Sequence, residues 1–288
     1  MTQRSIEKIF APPPSHWVGD GFKVHNYFPS WNLSNQRMSP WYMMDYNAPN
    51  YMPPGAQRGV SPHPHKGLET VTLSYAGSVA HHDSAGHSGV IHPGDVQWMT
   101  AGSGLLHKEY QEESFAKKGG IMHMVQLWAN LPAAYKNTPP AYQDITEAQQ
   151  TTLPFADGSG FAKIIAGELA GAKGPAKHFS PLFLYKLEFT QAGSFSFTVP
   201  EDWNTALLAI NGEVEIAHKK LPEHHLALCA NDGNKVTLKA SKYAHILALG
   251  GKPLNEPIAT YGPFLMNTQE EIRQAFTDFQ MGKFGELE

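Results

Sequence analysis

The segment Ser61-Pro-His-Pro-His-Lys-Gly67 and the run after it, Leu68-Glu-Thr-Val-Thr-Leu-Ser-Tyr75, are the most informative part of this 288-residue chain. Two prolines flank the first histidine and hold the backbone extended. The run after Gly67 is rich in β-branched and aromatic residues and stops at Ala76-Gly77. We therefore predict an extended segment, a bend at Gly67 and a strand.

A second informative segment follows about twenty residues later. Pro93-Gly94 is a turn signal, Val96–Thr100 has the composition of a short strand, and a glycine-rich bend leads into Gly104-Leu-Leu-His-Lys-Glu109. An alternation of strand, turn, strand, bend and strand is how a small β-barrel places one strand beside another. The pattern predicts such a barrel.

Both segments carry metal-ligand residue types at i, i+2 spacing, namely His63 with His65 and His107 with Glu109. In a strand, this spacing puts both side chains on one face, so two pairs on neighbouring strands would converge. Three imidazoles and one carboxylate suit a first-row divalent metal such as Fe, Ni, Cu, Mn or Zn. An ion that accepts five or six ligands keeps room for substrate or dioxygen, and the ligand set has none of the cysteines typical of structural zinc. The pattern favours a catalytic metal centre.

Other polar residues near these segments are given weaker roles. The chain has 15 histidines, and we expect four of them to be surface or loop residues: His81, His82, His87 and His92. Glu69 could face inward, either as a metal ligand or as a buried group that supports the site or forms an ion pair. His123 and Gln126 are at odd spacing, so only one of them can point into the barrel.

The strand Val96–Thr100 has two faces that the sequence does not rank. Gln97 and Met99 share one face, and Val96 and Trp98 share the other. One of the two faces must line the barrel.

Composition excludes several classes of protein. Lys and Arg total 22 against 26 Asp and Glu, a net charge of −4, which predicts no direct binding of nucleic acid. No segment approaches the roughly 18 apolar residues of a membrane helix, and the first ten residues lack a secretory apolar core, so we expect a cytoplasmic protein. The single cysteine, Cys229, has apolar neighbours and is expected to be buried.

The pattern of short strands predicts an all-β protein with two barrels. We place the first, metal-binding domain at residues 1–145 and the second at residues 146–288, joined by the proline-containing linker Asn137–Asp144. Predicted strands in the first half are Phe22–Tyr27, Tyr42–Asp45, Thr70–Tyr75, Ser78–Ala80, Val96–Thr100, Leu105–Tyr110 and Met122–Ala129. Predicted strands in the second half are Ala162–Ala166, Phe183–Phe189, Gly193–Val199, Thr205–Ile210, Glu213–Ala217, His225–Leu228, Lys235–Lys239 and Ala244–Leu249.

The chain ends in a predicted helix. Thr268-Gln-Glu-Glu271 has the sequence of a capping box, Ile272, Phe276 and Phe279 form an apolar stripe, and Gly282 is the stop signal.

The second half lacks an equivalent set of metal ligands. When Gly212 is set against Gly77, Thr198 and Pro200 take the places of the first histidine pair. His245 is then the one remaining candidate ligand, so we expect the second domain to be metal-free.

The chain resembles the cupin barrel and, more narrowly, the pirin family. Four strings carry the resemblance and span most of the chain: His63-Pro-His-Lys-Gly-Leu-Glu-Thr-Val-Thr72, Pro93-Gly-Asp-Val-Gln-Trp-Met-Thr-Ala-Gly102, Gln126-Leu-Trp-Ala-Asn-Leu-Pro132 and Tyr261-Gly-Pro-Phe-Leu-Met-Asn-Thr268. The resemblance implies two cupin-type barrels in tandem, a bicupin. It also implies one divalent ion bound by His63, His65, His107 and Glu109. Fe(II) is the expected metal, with Ni, Cu, Mn, Co or Zn as alternatives.

The resemblance implies two functions. Some bacterial pirin-like proteins cleave flavonols such as quercetin with dioxygen and release carbon monoxide. Glu109, as the one anionic ligand, could also take the proton of the flavonol 3-hydroxyl, so it is the predicted catalytic residue. The alternative is an iron-binding regulator without turnover, since eukaryotic members are associated with transcriptional co-regulation through a protein partner. An oxygenase or isomerase acting on another substrate stays open as well.

Overall fold

The computed structural model describes residues 1–287, which form mainly antiparallel β-structure. The first strands are β1 (Ile6–Phe10), β2 (His16–Val18), β3 (Phe22–Phe28), β4 (Trp41–Met52), β5 (Gly59–His65), β6 (Leu68–Ala76), β7 (Val79–Asp83), β8 (Ser88–Ile91), β9 (Val96–Thr100), β10 (Leu105–Gln111), β11 (Gly120–Asn130), β12 (Ala141–Ile145) and β13 (Thr151–Pro154). The remaining strands are β14 (Gly160–Ala166), β15 (Glu168–Leu169), β16 (Ala172–Lys173), β17 (Leu182–Phe189), β18 (Gly193–Thr198), β19 (Asn204–Asn211), β20 (Val214–Ile216), β21 (Lys219–Leu221), β22 (Leu226–Cys229), β23 (Lys235–Ala240), β24 (Ala244–Gly251), β25 (Ala259–Tyr261) and β26 (Phe264–Met266). The α-helices are α1 (Asn35–Met38), α2 (Glu113–Lys118) and α3 (Gln269–Gln280), and the 3-10 helices are Ala133–Tyr135 and Glu147–Gln149.

The chain forms two compact units, each built from more than one segment. We call Pro14–Asn26, Tyr42–Glu147 and Leu254–Glu288 the first cupin unit. We call Met1–Pro13, Tyr27–Trp41 and Ala148–Pro253 the second cupin unit. The predicted continuous halves 1–145 and 146–288 therefore differ from these units at both chain ends, although the division near residue 147 lies close to the predicted one.

Strand pairing explains why the N-terminal segment belongs to the second cupin unit and the C-terminal segment to the first. The first strand, β1, pairs antiparallel with β22, with Ile6 opposite Cys229, so the N-terminal segment completes a sheet of the second cupin unit. The C-terminal helix α3 packs against β25 and β26, which belong to the first cupin unit. Both end segments are short amphipathic elements, whose partners periodicity alone does not specify.

Two antiparallel sheets of the first half carry the segments singled out by the sequence. The four-stranded sheet has the order β5-β10-β7-β8, and the seven-stranded sheet has the order β12-β9-β6-β11-β4-β3-β2. In the smaller sheet, His63 lies directly opposite His107. The register shifts between His107 and Glu109, so Glu109 lies opposite Val60. The predicted adjacency of the two ligand-bearing segments is therefore present.

The predicted linker is partly wrong. Its last residues belong to β12, which pairs antiparallel with β9 and places Tyr142 opposite Met99. A strand of five residues at the edge of a sheet tolerates the neighbouring prolines, because they lie outside the paired residues.

The second cupin unit has its own apolar core between two sheets, of order β1-β22-β19-β24-β17-β14-β13 and β18-β23-β20-β21. Phe183, Leu207 and Leu238 are representative fully or almost fully buried members of that core. Cys229 also lies there, buried as predicted, and burial raises the pKa of its thiol to about 12.

Helix α3 has the predicted capping box, with the Thr268 side chain accepting from the Glu271 amide and the Glu271 side chain accepting from the Thr268 amide. Ile272 is buried and Phe276 is partly buried, whereas Phe279 is 39% exposed, so the predicted apolar stripe is buried only on its first turns. Among residues 1–287, no helix combines the length and apolar character that crossing a bilayer requires.

Candidate metal centre

Three imidazoles meet in the first cupin unit. His63 and His65 extend from β5 and His107 from β10, and their candidate ligand atoms all lie within 4.8 Å of one another. The ring centroids of His63 and His107 are 4.2 Å apart, and those of His65 and His107 are 4.8 Å apart. The i, i+2 spacing on β5 and the pairing of β5 with β10 together create this cluster.

Two of the rings are oriented by backbone carbonyls. The Nδ1 atom of His63 lies 2.8 Å from the Ser61 carbonyl oxygen, and that of His65 lies 3.3 Å from the Pro263 carbonyl oxygen. Since a carbonyl oxygen only accepts, each Nδ1 carries the proton and donates it, which leaves the lone pair on Nε2. Histidines that bind metals are usually oriented in this way, by a hydrogen bond from the ring nitrogen that does not bind the metal.

His107 is oriented by another histidine. Its Nδ1 lies 3.4 Å from the Nδ1 of His81, while its buried Nε2 has no hydrogen-bond partner in residues 1–287. An unpaired buried nitrogen is costly unless a ligand satisfies it. Burial and the charge of His63 lower the pKa of His65 to about 3, and burial lowers that of His107 well below its ordinary value. Three imidazoles that converge in this way fit a divalent transition metal.

Glu109 lies beside this cluster and is held by two donors. Its Oε2 accepts from Gln126 Nε2 at 2.8 Å, and its Oε1 accepts from the Thr72 hydroxyl at 3.4 Å. The carboxylate falls within 4.8 Å of ligand atoms of His81 and His107, in a group separate from that of His63 and His65. Its role as fourth ligand thus stays a prediction.

His81 is the residue that the sequence analysis misjudged. The sequence predicts a surface or loop residue, but His81 lies in β7, opposite Glu109 of β10, and is completely buried. His82 points the other way, where its Nδ1 is 2.8 Å from the Tyr110 hydroxyl. The alternation of His81, His82 and Asp83 along a strand was the available signal, but the short run between glycines resembled a loop.

A carboxylate lies behind His81. Asp83 Oδ2 is 3.6 Å from His81 Nε2 and 3.0 Å from His87 Nδ1. Asp83 Oδ1 accepts from the backbone amides of Ala85 and His87 at 2.9 and 3.0 Å. Burial alone would raise the pKa of Asp83, but the nearby His81 ring and the hydrogen bonds from His87 outweigh it and the pKa is lowered. Asp83 is therefore a charged acceptor.

The register resolves which face of β9 lines the site. Gln97 lies opposite Thr72 of β6, and Thr72 lies opposite Gln126 of β11. Directly opposed residues in neighbouring strands share a face, and Thr72 and Gln126 both contact Glu109. Gln97 and Met99 thus face the site. Of the two residues at odd spacing on β11, Gln126 points to Glu109, whereas His123 Nε2 lies 3.0 Å from the Tyr46 hydroxyl.

This same face presents several buried polar atoms that have no hydrogen-bond partner among residues 1–287. They are both amide atoms of Gln97, the Thr70 hydroxyl, the Trp128 indole nitrogen and the Tyr142 hydroxyl. The last three residues flank Met99 in register across β6, β11 and β12. Such atoms are normally satisfied by water or a ligand, which makes this face a candidate binding surface for a polar molecule.

In the second cupin unit, His245 Nε2 lies 3.8 Å from Glu188 Oε1. The groups of three metal-ligand residues that the structure shows in residues 1–287 are the two around His107.

Comparisons with known proteins agree with this architecture. The model of the Pirin family matches residues 21–129, and that of the Pirin C-terminal cupin domain matches residues 184–285. A Pseudomonas aeruginosa protein named "Putative quercetin 2,3-dioxygenase" is 42% identical over 282 residues, which cover 98% of each protein. This chain belongs to the pirin family. The predicted bicupin fold of pirins, with its C-terminal helix, is confirmed.

Solved structures of pirin-like proteins share the fold. The quercetin 2,3-dioxygenase of Acinetobacter baumannii is 42% identical, with a TM-score of 0.93 and coverage of 100% of both chains. The Escherichia coli bacterial pirin YhhW, solved in complex with nickel(II), is 18% identical, with a TM-score of 0.62 over 85% of this chain and 100% of the other. At that identity the second match supports the fold alone.

Proposed function

We propose that this pirin is a metal-dependent dioxygenase that cleaves flavonols such as quercetin with dioxygen. The observation that carries the proposal is the meeting of three imidazoles, each with its Nδ1 engaged elsewhere, beside a carboxylate held by Gln126. The names of similar bacterial proteins support the same substrate class.

In the proposal, His63, His65, His107 and Glu109 hold one divalent ion, and Fe(II) is our choice of metal. A bound transition metal supplies Lewis acidity, which lowers the pKa of a coordinated hydroxyl, and redox access to dioxygen. Glu109 takes the proton of the flavonol 3-hydroxyl.

The neighbours of Glu109 have a defined task in this scheme. Gln126 donates to Oε2 and Thr72 donates to Oε1, so the carboxylate keeps one orientation as it accepts the proton. A general base must lie within hydrogen-bonding reach of the proton it takes, and these two donors fix that geometry.

In this proposal the substrate binds against the buried polar atoms on the face of β6, β9, β11 and β12 that lines the site. Within the described part of the chain, the Gln97 amide has an unused donor and an unused acceptor, and the Tyr142 hydroxyl has no hydrogen-bond partner. A flavonol has hydroxyl and carbonyl groups around a flat ring system, which pairs with such atoms and with apolar neighbours such as Met99.

The test combines metal analysis with oxygen uptake. Protein purified without added metal is analysed for bound ions, and its consumption of quercetin and oxygen is followed before and after chelation. We expect about one ion per chain and uptake that requires it. A metal-loaded protein that takes up no oxygen with any flavonol would instead favour the redox-responsive regulator with a protein partner. We keep the cytoplasm as the proposed location.

A further inference from the structure

We infer that Asp83, acting through His81, sets which nitrogen of His107 can bind the metal. This inference rests on the metal site of the proposed function, but it concerns residues outside the predicted ligand set. Three consecutive contacts connect His107 to His81, His81 to Asp83, and Asp83 to the turn after β7.

The first contact allows two arrangements. His107 Nδ1 and His81 Nδ1 are 3.4 Å apart, and a hydrogen bond between two neutral rings has its proton on one of them. If the proton is on His107, Nε2 of that ring keeps a lone pair for the metal. If it is on His81, the proton of His107 lies on Nε2 and blocks coordination.

The second contact selects between them. The other nitrogen of His81, Nε2, lies 3.6 Å from Asp83 Oδ2. This distance is longer than a hydrogen bond, but it places the nitrogen next to an ionised carboxylate, which only accepts. A lone pair on that Nε2 would face the negative oxygen, so the His81 proton belongs there. His81 Nδ1 must then accept, and His107 Nδ1 must donate.

The third contact keeps the carboxylate in place. Asp83 Oδ1 accepts from the amides of Ala85 and His87, and both protein groups are backbone atoms of the turn after β7. Asp83 is itself completely buried at its side chain. Asp83 and His81 are therefore positioning residues for His107, as carboxylates commonly are behind metal-binding histidines.

Asp83→Asn tests this series of contacts because it replaces a single acceptor, Oδ2, with a donor. The amide oxygen can keep both turn hydrogen bonds while its NH2 group replaces Oδ2 and donates to His81 Nε2. His81 would then donate to His107, and the His107 proton would move to Nε2. We expect two-bond ¹H–¹⁵N spectra of the metal-free protein to show the His107 proton on Nδ1 in wild type and on Nε2 in the variant. Metal affinity, measured by chelator competition, should fall about 10- to 100-fold.

His87→Ala is the matched control, because it removes the other ring on Asp83 Oδ2 without changing the acceptor that faces His81. We expect its His107 tautomer to match wild type. His81→Leu is a second probe if Asp83→Asn does not fold; it should also move the His107 proton toward Nε2 and weaken the metal.

Three results would overturn the inference: an unchanged His107 tautomer in Asp83→Asn, an unchanged tautomer in His81→Leu, or loss of metal in His81→Leu as complete as in His65→Ala. The last would make His81 a ligand. The spectra are recorded on metal-free protein, so their outcome does not depend on turnover. A lack of flavonol turnover would contradict the proposed function but not this inference.

Discussion

At the scale of single residues, Glu109 differs from the three imidazoles because it has two proposed roles and each imidazole has one. Each imidazole offers only a lone pair, whereas the carboxylate offers a ligand atom and a proton acceptor. Gln126 and Thr72 hold its two oxygens, so an amide oxygen in the same place could keep the hydrogen bond from Gln126. The two roles of Glu109 are therefore separable by substitution.

Glu109→Gln should keep the metal but lower flavonol turnover about 100-fold or more, because an amide cannot take the proton. His65→Ala should lose the metal itself. Metal content and oxygen uptake measured on the same samples separate the two effects. Glu69→Gln is the matched control: Glu69 is also a buried carboxylate, but it accepts from Thr100 on the other face of β6. Full turnover in metal-loaded Glu109→Gln would place the proton acceptor elsewhere.

The same residues show which features of the site the sequence predicts and which it does not. His63, His65 and His107 were predictable because a two-residue period fixes the face of each side chain. The contact of His107 with His81 was not predictable, because it depends on the pairing of β7 with β10. The sequence of one strand does not identify the strand that pairs with it. Likewise, the interior face of β9 became clear only from its register with β6.

At the scale of elements, the strands with strong β-composition were predicted and the short edge elements were missed. Val96–Thr100 has the predicted bounds, and β6 and β11 extend the predicted strands by a few residues. By contrast, the prolines before β12 predict a linker, whereas the pairing of β12 with β9 supplies Tyr142 to the site. Short strands owe their stability to a neighbour, which composition does not reveal.

Helix α3 was predictable because its start is a local interaction. The Glu271 amide donates to the Thr268 hydroxyl, and the amides of Asn267 and Thr268 donate to Glu271 Oε2. Thr268→Ala should cost about 1 kcal/mol of helix stability, because it removes the side-chain cap. We expect faster hydrogen exchange at the Glu271 amide. Thr268→Ser keeps a hydroxyl and should exchange like wild type; equal exchange in both variants would show that the cap contributes nothing.

At the scale of the whole molecule, the division into residues 1–145 and 146–288 differs from the structure at the two chain ends. A division by order along the chain assumes that each barrel is continuous, but β1 joins the sheet of β22 and α3 packs on β25 and β26. Arg4, just before β1, is fully buried in the second cupin unit. Its guanidinium donates to the carbonyl oxygens of Gly233, Trp203, Pro200 and Glu201 and to the Thr205 hydroxyl.

Arg4→Ala tests this assignment of the N-terminal segment. The change leaves several buried acceptors without a donor, which should cost roughly 3 kcal/mol in the second cupin unit. We expect faster hydrogen exchange in β19 and β22 than in wild type, a smaller change in β6 and β9, and unchanged metal content. Arg4→Lys keeps the charge but has fewer donors, so its exchange should be intermediate. If Arg4→Ala speeds exchange most in β6 and β9, or releases the metal, the N-terminal segment supports the first cupin unit instead.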